Sequence, residues 1–219
     1  LGDVYKRQVH KVKHNTKRLI TSIKWVIFSI VVGIVAGSCG TAFYFALSVV
    51  TDFRMKYPWL IYFLPIGGLA IVGLYHLCKD DNDTGTNLVI SAIHSDDKVP
   101  FKMAPLIFVS TLITHLFGGS AGREGAALQM GGSIGSSIGR VFRFDEKDKH
   151  VMIMCGMSAA FSALFGTPMA AAIFSMEMIS VGVMYYIALV PCVISSLIAH
   201  GIASVSYTHL RAHETEADL

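Results

Sequence analysis

The chain has 219 residues, of which 53% are hydrophobic and 15% are charged, and its mean hydropathy is +0.56. The apolar residues come in long runs rather than in stripes, which argues against a soluble domain and predicts an all-α, polytopic membrane protein. The formal net charge of +3 is too small to indicate a partner.

The segment before the first apolar run is basic. It contains six cations: Lys6, Arg7, Lys11, Lys13, Lys17 and Arg18. Under the positive-inside rule, this pattern predicts a cytoplasmic N-terminus. The alternative is an arm that binds nucleic acid. We do not expect a nucleic-acid partner, because the segment abuts a hydrophobic run and its only interleaved aromatic residue is Tyr5.

The first apolar segment, residues 20–50, is interrupted by charge only at Lys24. At about 1.5 Å of rise per residue it exceeds a bilayer core of about 30 Å, so we expect it to tilt. Residues 59–78 return the chain to the cytoplasm. After a polar connector, residues 88–94 form a helix too short to span, which is typical of discontinuous-helix ion sites. The remaining apolar segments are residues 101–117, 126–141, 151–165, 169–181 and 183–203.

The most informative stretch is the glycine-dense segment 118–125, which holds Arg123 and Glu124 between two apolar runs. Ionisable groups inside a membrane are costly and usually functional. Glycine lets the backbone leave the helix, which a membrane tolerates only where the backbone is buried in protein or lines a cavity. If a helix begins near Glu124, its free N–H groups and its dipole favour an anion. The local chemistry therefore predicts an anion pathway.

Glycines spaced by four residues indicate close helix packing. Gly131, Gly135 and Gly139 share one helix face, and Gly33 and Gly37 do the same on the first long helix. Membrane helices associate through such backbone proximity, so we assign these glycines to packing and not to chemistry.

Two further features mark boundaries in the second half of the chain. A second group of cations predicts another cytoplasmic loop: Arg140, Arg143, Lys147 and Lys149. The tripeptide Gly-Thr-Pro at residues 166–168 predicts a break between two helices.

Neither a metal site nor a cofactor site is predicted. The four cysteines, Cys39, Cys78, Cys155 and Cys192, are isolated and lack metal-ligand spacing, which indicates packing residues. An intramembrane enzyme would need a nucleophile and base or metal ligands, but HExxH is absent and the histidines are dispersed. We therefore expect no enzymatic activity.

The two ends of the sequence differ from the rest. Both resemble translated sequencing-adapter read-through, so we expect residues 1–8 to be an artefactual leader and residues 205–219 an artefactual tail. The transmembrane region is then residues 9–204, and the chain is a fragment. The alternative is an ordinary amphipathic N-terminus and a polar tail.

An ordered set of motifs resembles the CLC family of chloride channels and anion/proton antiporters. In the family's order, these are TGTNL at residues 84–88, GREGAALQMG at 122–131, and the segments 159–168 and 174–177. The resemblance runs from about residue 20 to about residue 203, which is the first membrane half of that fold.

The resemblance implies that Glu124 is the gating glutamate, whose carboxylate competes with the anion and carries the proton in antiporters. It also implies that Arg123 and the backbone N–H groups of Gly125, Ala126 and Ala127 belong to the anion site. Ala126 stands where the family most often has proline, a mild departure because proline is only favoured at a helix start. The alternative is that Glu124 forms a structural ion pair with Arg123.

The first loop departs more from the family. Most chloride-handling members have Gly-Ser-Gly-Ile-Pro there, with a serine hydroxyl on the anion, whereas this chain has Gly85, Thr86, Asn87 and Leu88. Thr86 or Asn87 would supply the donor, and an asparagine near this point resembles the fluoride-handling branch. The alternative, which is compatible with that role, is that Asn87 caps the short helix.

Two other titratable groups fall in apolar runs. Glu177 matches an acidic position of the family and is a second candidate acidic site, either for protons or as an acceptor for neighbouring backbone. Met178 stands where many exchangers carry a second glutamate, so proton coupling through that position is in doubt. His115 can titrate near neutrality, but such a histidine is more often a packing residue.

The resemblance implies an N-terminal half of a CLC-type fold with tilted and discontinuous helices. It implies transport of chloride or fluoride gated by Glu124, with protons as the second ion in an antiporter. It also implies a homodimer of the full-length protein in the lipid of a plasma membrane or bacterial inner membrane. The alternatives are a fluoride/proton antiporter and a truncated chain that does not transport, because the family's second half completes the anion site.

Overall fold

The computed structural model describes residues 2–78, 100–178 and 185–217, with side chains between residues 21 and 208 of those ranges. The described parts contain helices and no strand, which confirms the all-α prediction. The α-helices are α1 (Gly2–Lys56), α2 (Leu64–Leu77), α3 (Met103–Leu116), α4 (Arg123–Val141), α5 (Glu146–Phe165), α6 (Pro168–Glu177) and α7 (Leu189–Ala217). Short 3₁₀ helices, Pro58–Phe63 and Tyr186–Ala188, precede α2 and α7.

Three described segments are long and apolar enough to cross a membrane: Thr21–Lys56, Pro58–Leu77 and Tyr186–Thr208. The apolar helix α3 has only 14 residues and is shorter than a bilayer core. Full-length and short apolar helices therefore occur together in the described parts of the chain. Helices α1 and α7 also extend into the terminal strings.

Helix α5 forms the centre of the bundle and packs against α1, α4, α6 and α7. Its side chains are buried on all sides from Val151 to Ala160. A helix that is apolar all round must be covered by other elements, and α5 is covered in this way. The predicted break follows it: Gly166 ends α5 with a left-handed φ of 69°, and Pro168 begins α6.

The glycine face of α4 lies directly on the backbone of α5. A Cβ on Gly131 would overlap the carbonyl group of Gly156, and one on Gly135 would overlap the carbonyl group of Met152. At Gly139 the helices are farther apart, and a Cβ would make ordinary contacts with Lys149 at 3.4 Å and Met152 at 3.6 Å. The packing role is confirmed for Gly131 and Gly135.

The glycines of α1 have the same role against α7. A Cβ on Gly37 would lie 2.7 Å from the Cα of Ala199, and one on Gly33 would lie 2.9 Å from the carbonyl oxygen of Ser195. The packing prediction is thus confirmed for α1 as well.

Buried hydroxyl groups connect α5 to α7. Ser158 donates to the carbonyl oxygen of Cys192 at 3.0 Å, and Ser162 donates to that of Ser196 at 2.8 Å. In the opposite direction, Ser195 donates to the carbonyl oxygen of Cys155 at 3.1 Å. Each such bond between membrane helices contributes about 0.6 kcal/mol, so the set stabilises this interface modestly.

Contacts along α1 show at which level of this helix the other elements lie. The Lys24 Nζ lies 2.7 Å from Asp148 Oδ2, and the rings of Phe28 and Phe142 lie 4.9 Å apart. Farther along, the Cys39 and Met130 sulfurs are 3.5 Å apart. Near the far end, Arg54 lies beside Gly118, 3.3 Å from where a Cβ of that residue would be. The 30 residues from Lys24 to Arg54 correspond to about 45 Å, the thickness of a bilayer with its headgroups.

Candidate functional site

The glycine segment begins with a tight turn that ends α3. The N–H of Gly118 donates to the carbonyl oxygen of His115 at 3.1 Å, and the N–H of Gly119 donates to that of Thr114 at 2.8 Å. This pair of bonds is a Schellman motif, and Gly118 adopts the left-handed φ of 80° that the motif requires. The first glycine is therefore needed for its backbone conformation.

Helix α4 begins directly after this segment. Gly122 is its N-cap, with an extended backbone (φ −71°, ψ 127°), and no side chain bonds the free N–H groups of the first turn. A helix start beside Glu124 is therefore confirmed. Arg123, Glu124 and Gly125 occupy the first three positions, where N–H groups have no partner in the helix. Such a turn attracts an anion.

Glu124 and Arg123 are both exposed on the described chain, and no ion pair joins them. The next residues turn inward, since Ala126 is 7% and Ala127 0% exposed. In an α-helix, the N–H groups of Ala126 and Ala127 are directed at the carbonyls four residues earlier. Their role in the anion site, like those of Arg123, Glu124 and Gly125, stays a prediction.

The depth of Glu124 follows from the register of α4 against α1. The Phe28–Phe142 and Cys39–Met130 contacts are separated by 11 residues on α1 and 12 on α4, so the two helices run antiparallel with almost equal rise. Glu124 lies six residues beyond Met130, or about 9 Å farther along. Measured along α1, Glu124 therefore lies about 14 Å nearer the middle of the bundle than Arg54 does. This distance exceeds the thickness of a headgroup layer, which is about 5–8 Å.

The residues of the first loop, Gly85, Thr86 and Asn87, lie outside the described residues, as does the short helix predicted at residues 88–94. Whether Thr86 or Asn87 faces the first turn of α4 therefore stays a prediction.

No contact among the described residues connects the second acidic candidate, Glu177, to Glu124. Glu177 is the last residue of α6, is exposed, and makes no side-chain hydrogen bond to a described residue. His115 lies in α3 with its Nδ1 2.9 Å from the carbonyl oxygen of Thr111. That contact agrees with a packing histidine satisfied by its own helix.

Two charged contacts were not anticipated from the sequence. Lys24 pairs with Asp148 and also lies 4.3 Å from the ring centre of Phe144. Arg54 lies 3.3 Å from the position that a Cβ of Gly118 would take. The position of Lys24 in an apolar run could have indicated a charged partner, because such cations are usually paired. Among the described residues, no group of three or more His, Cys, Asp or Glu side chains could hold a metal ion.

Comparison with known proteins gives a consistent set of matches. The sequence model of the voltage-gated chloride channel family matches residues 67–217. A chloride/fluoride channel protein of Pseudomonas syringae pv. tomato is 40% identical over 190 residues, which are 85% of this chain and 42% of that protein. An H⁺/Cl⁻ exchange transporter of Vibrio campbellii is 27% identical over 72% of this chain and 37% of that protein.

The fold has a counterpart among solved structures. A CLC-type fluoride/proton antiporter superposes with a TM-score of 0.77 at 37% identity, over 83% of this chain and 46% of that one. The chain thus spans less than half the length of each of these three proteins. Their names describe channels and transporters, in agreement with the expectation that the chain is not an enzyme.

Proposed function

Because the chain belongs to the voltage-gated chloride channel (CLC) family, we propose that it is the N-terminal half of a protein that moves small halide ions across a membrane. The observation that carries this proposal is the first turn of α4. It has free N–H groups, no side-chain cap, and at its second position a glutamate without an ion pair to any described residue. It also lies deeper than a headgroup layer on the scale given by α1.

The geometry supports a gate in which Glu124 and the anion compete. An ionised carboxylate and a halide are both attracted by the positive end of the helix dipole, so one displaces the other. Protonation makes the side chain neutral and weakens its hold on the N–H groups. The anion then gains access, and the proton that Glu124 has taken up is available for coupled transport.

Fluoride is the ion we propose, ahead of chloride. An asparagine amide has two directed N–H donors where a serine hydroxyl has one, and a compact anion gains more from each short contact. Asn87 supplies such an amide in the first loop. The names of the Pseudomonas syringae relative and of the antiporter structure both include fluoride.

We further propose that the protein lies in a plasma membrane or bacterial inner membrane with its N-terminus in the cytoplasm. Lys24 and Asp148 join the basic N-terminal side of α1 to the second cationic group, so both basic regions lie at the same end of the bundle. Exposed apolar side chains on α2, such as Leu69 and Val72, suit contact with lipid. A homodimer of the full-length protein is part of the same proposal.

Reconstitution in liposomes tests the proposal. The intact protein should release fluoride faster than chloride under matched gradients, and proton movement should accompany the efflux. The 219-residue chain alone should insert but release neither ion selectively, because an open half-site leaves cavity-lining groups unpaired. Selective halide efflux from this chain alone would contradict the half-protein assignment. Absence of halide efflux from the intact protein would contradict the transport function.

A further inference from the structure

Arg54, in the last turn of α1, packs on the turn that precedes α4. A Cβ built on Gly118 would lie 3.3 Å from Nη1 and 3.5 Å from Cδ of Arg54, so the Arg54 side chain lies on the side of this glycine from which a side chain would project. Arg54 is half-buried and has no side-chain hydrogen bond or ion pair with a described residue. Lys56, two residues later, is exposed and has no recorded contact with the turn.

The position of Arg54 is electrostatically favourable. The Schellman turn at Gly118 is the C-terminal end of α3, where the carbonyl groups carry partial negative charge. A guanidinium group stabilises such an end and is planar enough to lie flat on a glycine. The same Cβ on Gly118 would lie 3.5 Å from Ile61, and a Cβ on Gly119 would lie 3.3 Å from Leu64, so apolar side chains also line the turn.

The turn is the last firmly packed point before Glu124. Only Ser120, Ala121 and Gly122 lie between it and the start of α4, and a Cβ on Gly122 would meet nothing within 4 Å. From Gly119 to Arg123 the chain makes four Cα–Cα steps, which reach at most about 15 Å. Whatever fixes the turn therefore limits the positions open to residues 120–122, the loop that leads to Glu124.

We propose that Arg54 is a positioning residue for the anion path: its guanidinium group holds the Gly118 turn, and thereby the loop to Glu124, and keeps a positive charge at the mouth of the path. This inference rests on the proposed transport function for its electrostatic part. The mechanical part concerns the loop alone and is independent of transport.

The loop is tested on the 219-residue chain in nanodiscs. Ser120→Cys is labelled with a membrane-impermeant maleimide, and labelling of the chain without this change is subtracted. Arg54→Gln should raise the labelling rate several-fold because the turn is released, while Lys56→Gln should leave it unchanged. Arg54→Lys should give an intermediate rate. Equal labelling rates in Arg54→Gln and Lys56→Gln would overturn the positioning role, whatever the protein transports.

The charge is tested by halide efflux from the intact protein. At a distance of about 14 Å and low ionic strength, loss of one positive charge should raise the half-saturating halide concentration about threefold to sevenfold. Arg54→Lys should restore that concentration but not the loop's labelling rate. An unchanged half-saturating concentration in Arg54→Gln would overturn the electrostatic role, whereas absence of flux in the unsubstituted protein would refute transport and leave the labelling result standing.

Discussion

The Nζ of Lys24 on α1 lies 2.7 Å from the Oδ2 of Asp148 on α5 and 4.3 Å from the ring centre of Phe144. The two charged residues are 124 positions apart in the chain. Their side chains are 36% and 30% exposed, so water and salt screen the pair only in part.

We expect this pair to stabilise the fold measurably. A double-mutant cycle with Lys24→Met and Asp148→Asn should give a coupling energy of about 0.5–1 kcal/mol, lower at high salt, because half-exposed pairs are weakened by solvent. The measurement is reversible unfolding in mixed micelles. The control is the Lys149–Glu146 pair, which lies within one helix and is more exposed. A coupling energy of zero, or one independent of salt, would contradict the expectation.

Gly135 should not tolerate a side chain. Gly135→Ala places a methyl group on the carbonyl group of Met152, so the free energy of unfolding should fall by about 1–3 kcal/mol. Gly139→Ala is the matched control, because its methyl group would make only ordinary van der Waals contacts, at 3.4 Å or more, with Lys149 and Met152. Unfolding of both variants in mixed micelles checks this. Equal losses would show that α4 and α5 separate easily at Gly135.

Arg143 lies in the turn that follows α4, in a backbone conformation that suits glycine. Its φ is 53°, its N–H donates to Arg140, and the N–H of Phe144 donates to Gly139. Arg143→Gly should therefore raise the free energy of unfolding by about 0.5–1 kcal/mol relative to Arg143→Ala, which removes the same charge but keeps the strain. The two variants are compared in thermal unfolding. Equal stability of the two would mean that the left-handed conformation costs nothing here.

Glu124→Gln, in the intact protein in liposomes, should make anion flux independent of pH or abolish its coupling to protons. The neutral amide cannot exchange a proton. Parallel measurements on Glu177→Gln separate the first acidic candidate from the second. If Glu124→Gln keeps the pH dependence of the unsubstituted protein, Glu124 is not the gate.

Asn87→Ser should shift relative efflux from fluoride toward chloride in the intact protein, because a hydroxyl group replaces the two amide donors. Thr86→Ser retains a hydroxyl group and serves as the control. Ion-selective electrodes measure both anions. Chloride preference in the unsubstituted protein, unaffected by Asn87→Ser, would leave Asn87 only a capping role.

The sequence was sufficient for the helical class, the helix start beside Glu124, and the packing faces of Gly131 and Gly37, because periodicity and glycine chemistry act locally. It did not reveal that Gly156 is the partner of Gly131, since a lone glycine within an apolar run has no periodicity. The Arg54 contact was also missed, because it joins the end of one helix to a turn 64 positions later. Such pairings depend on how helices are arranged in space.

The backbone contact between α4 and α5 limits how the first turn of α4 can move. At Gly131 and Gly135, no layer of side chains separates the two helices that could repack as they slide. Glu124 lies only seven residues, or about 10 Å, beyond this clamped section. The first turn of α4 is therefore attached to the bundle centre through a rigid helix. In the proposed gate, rotation about the side-chain bonds of Glu124 is the least costly way to move its carboxylate.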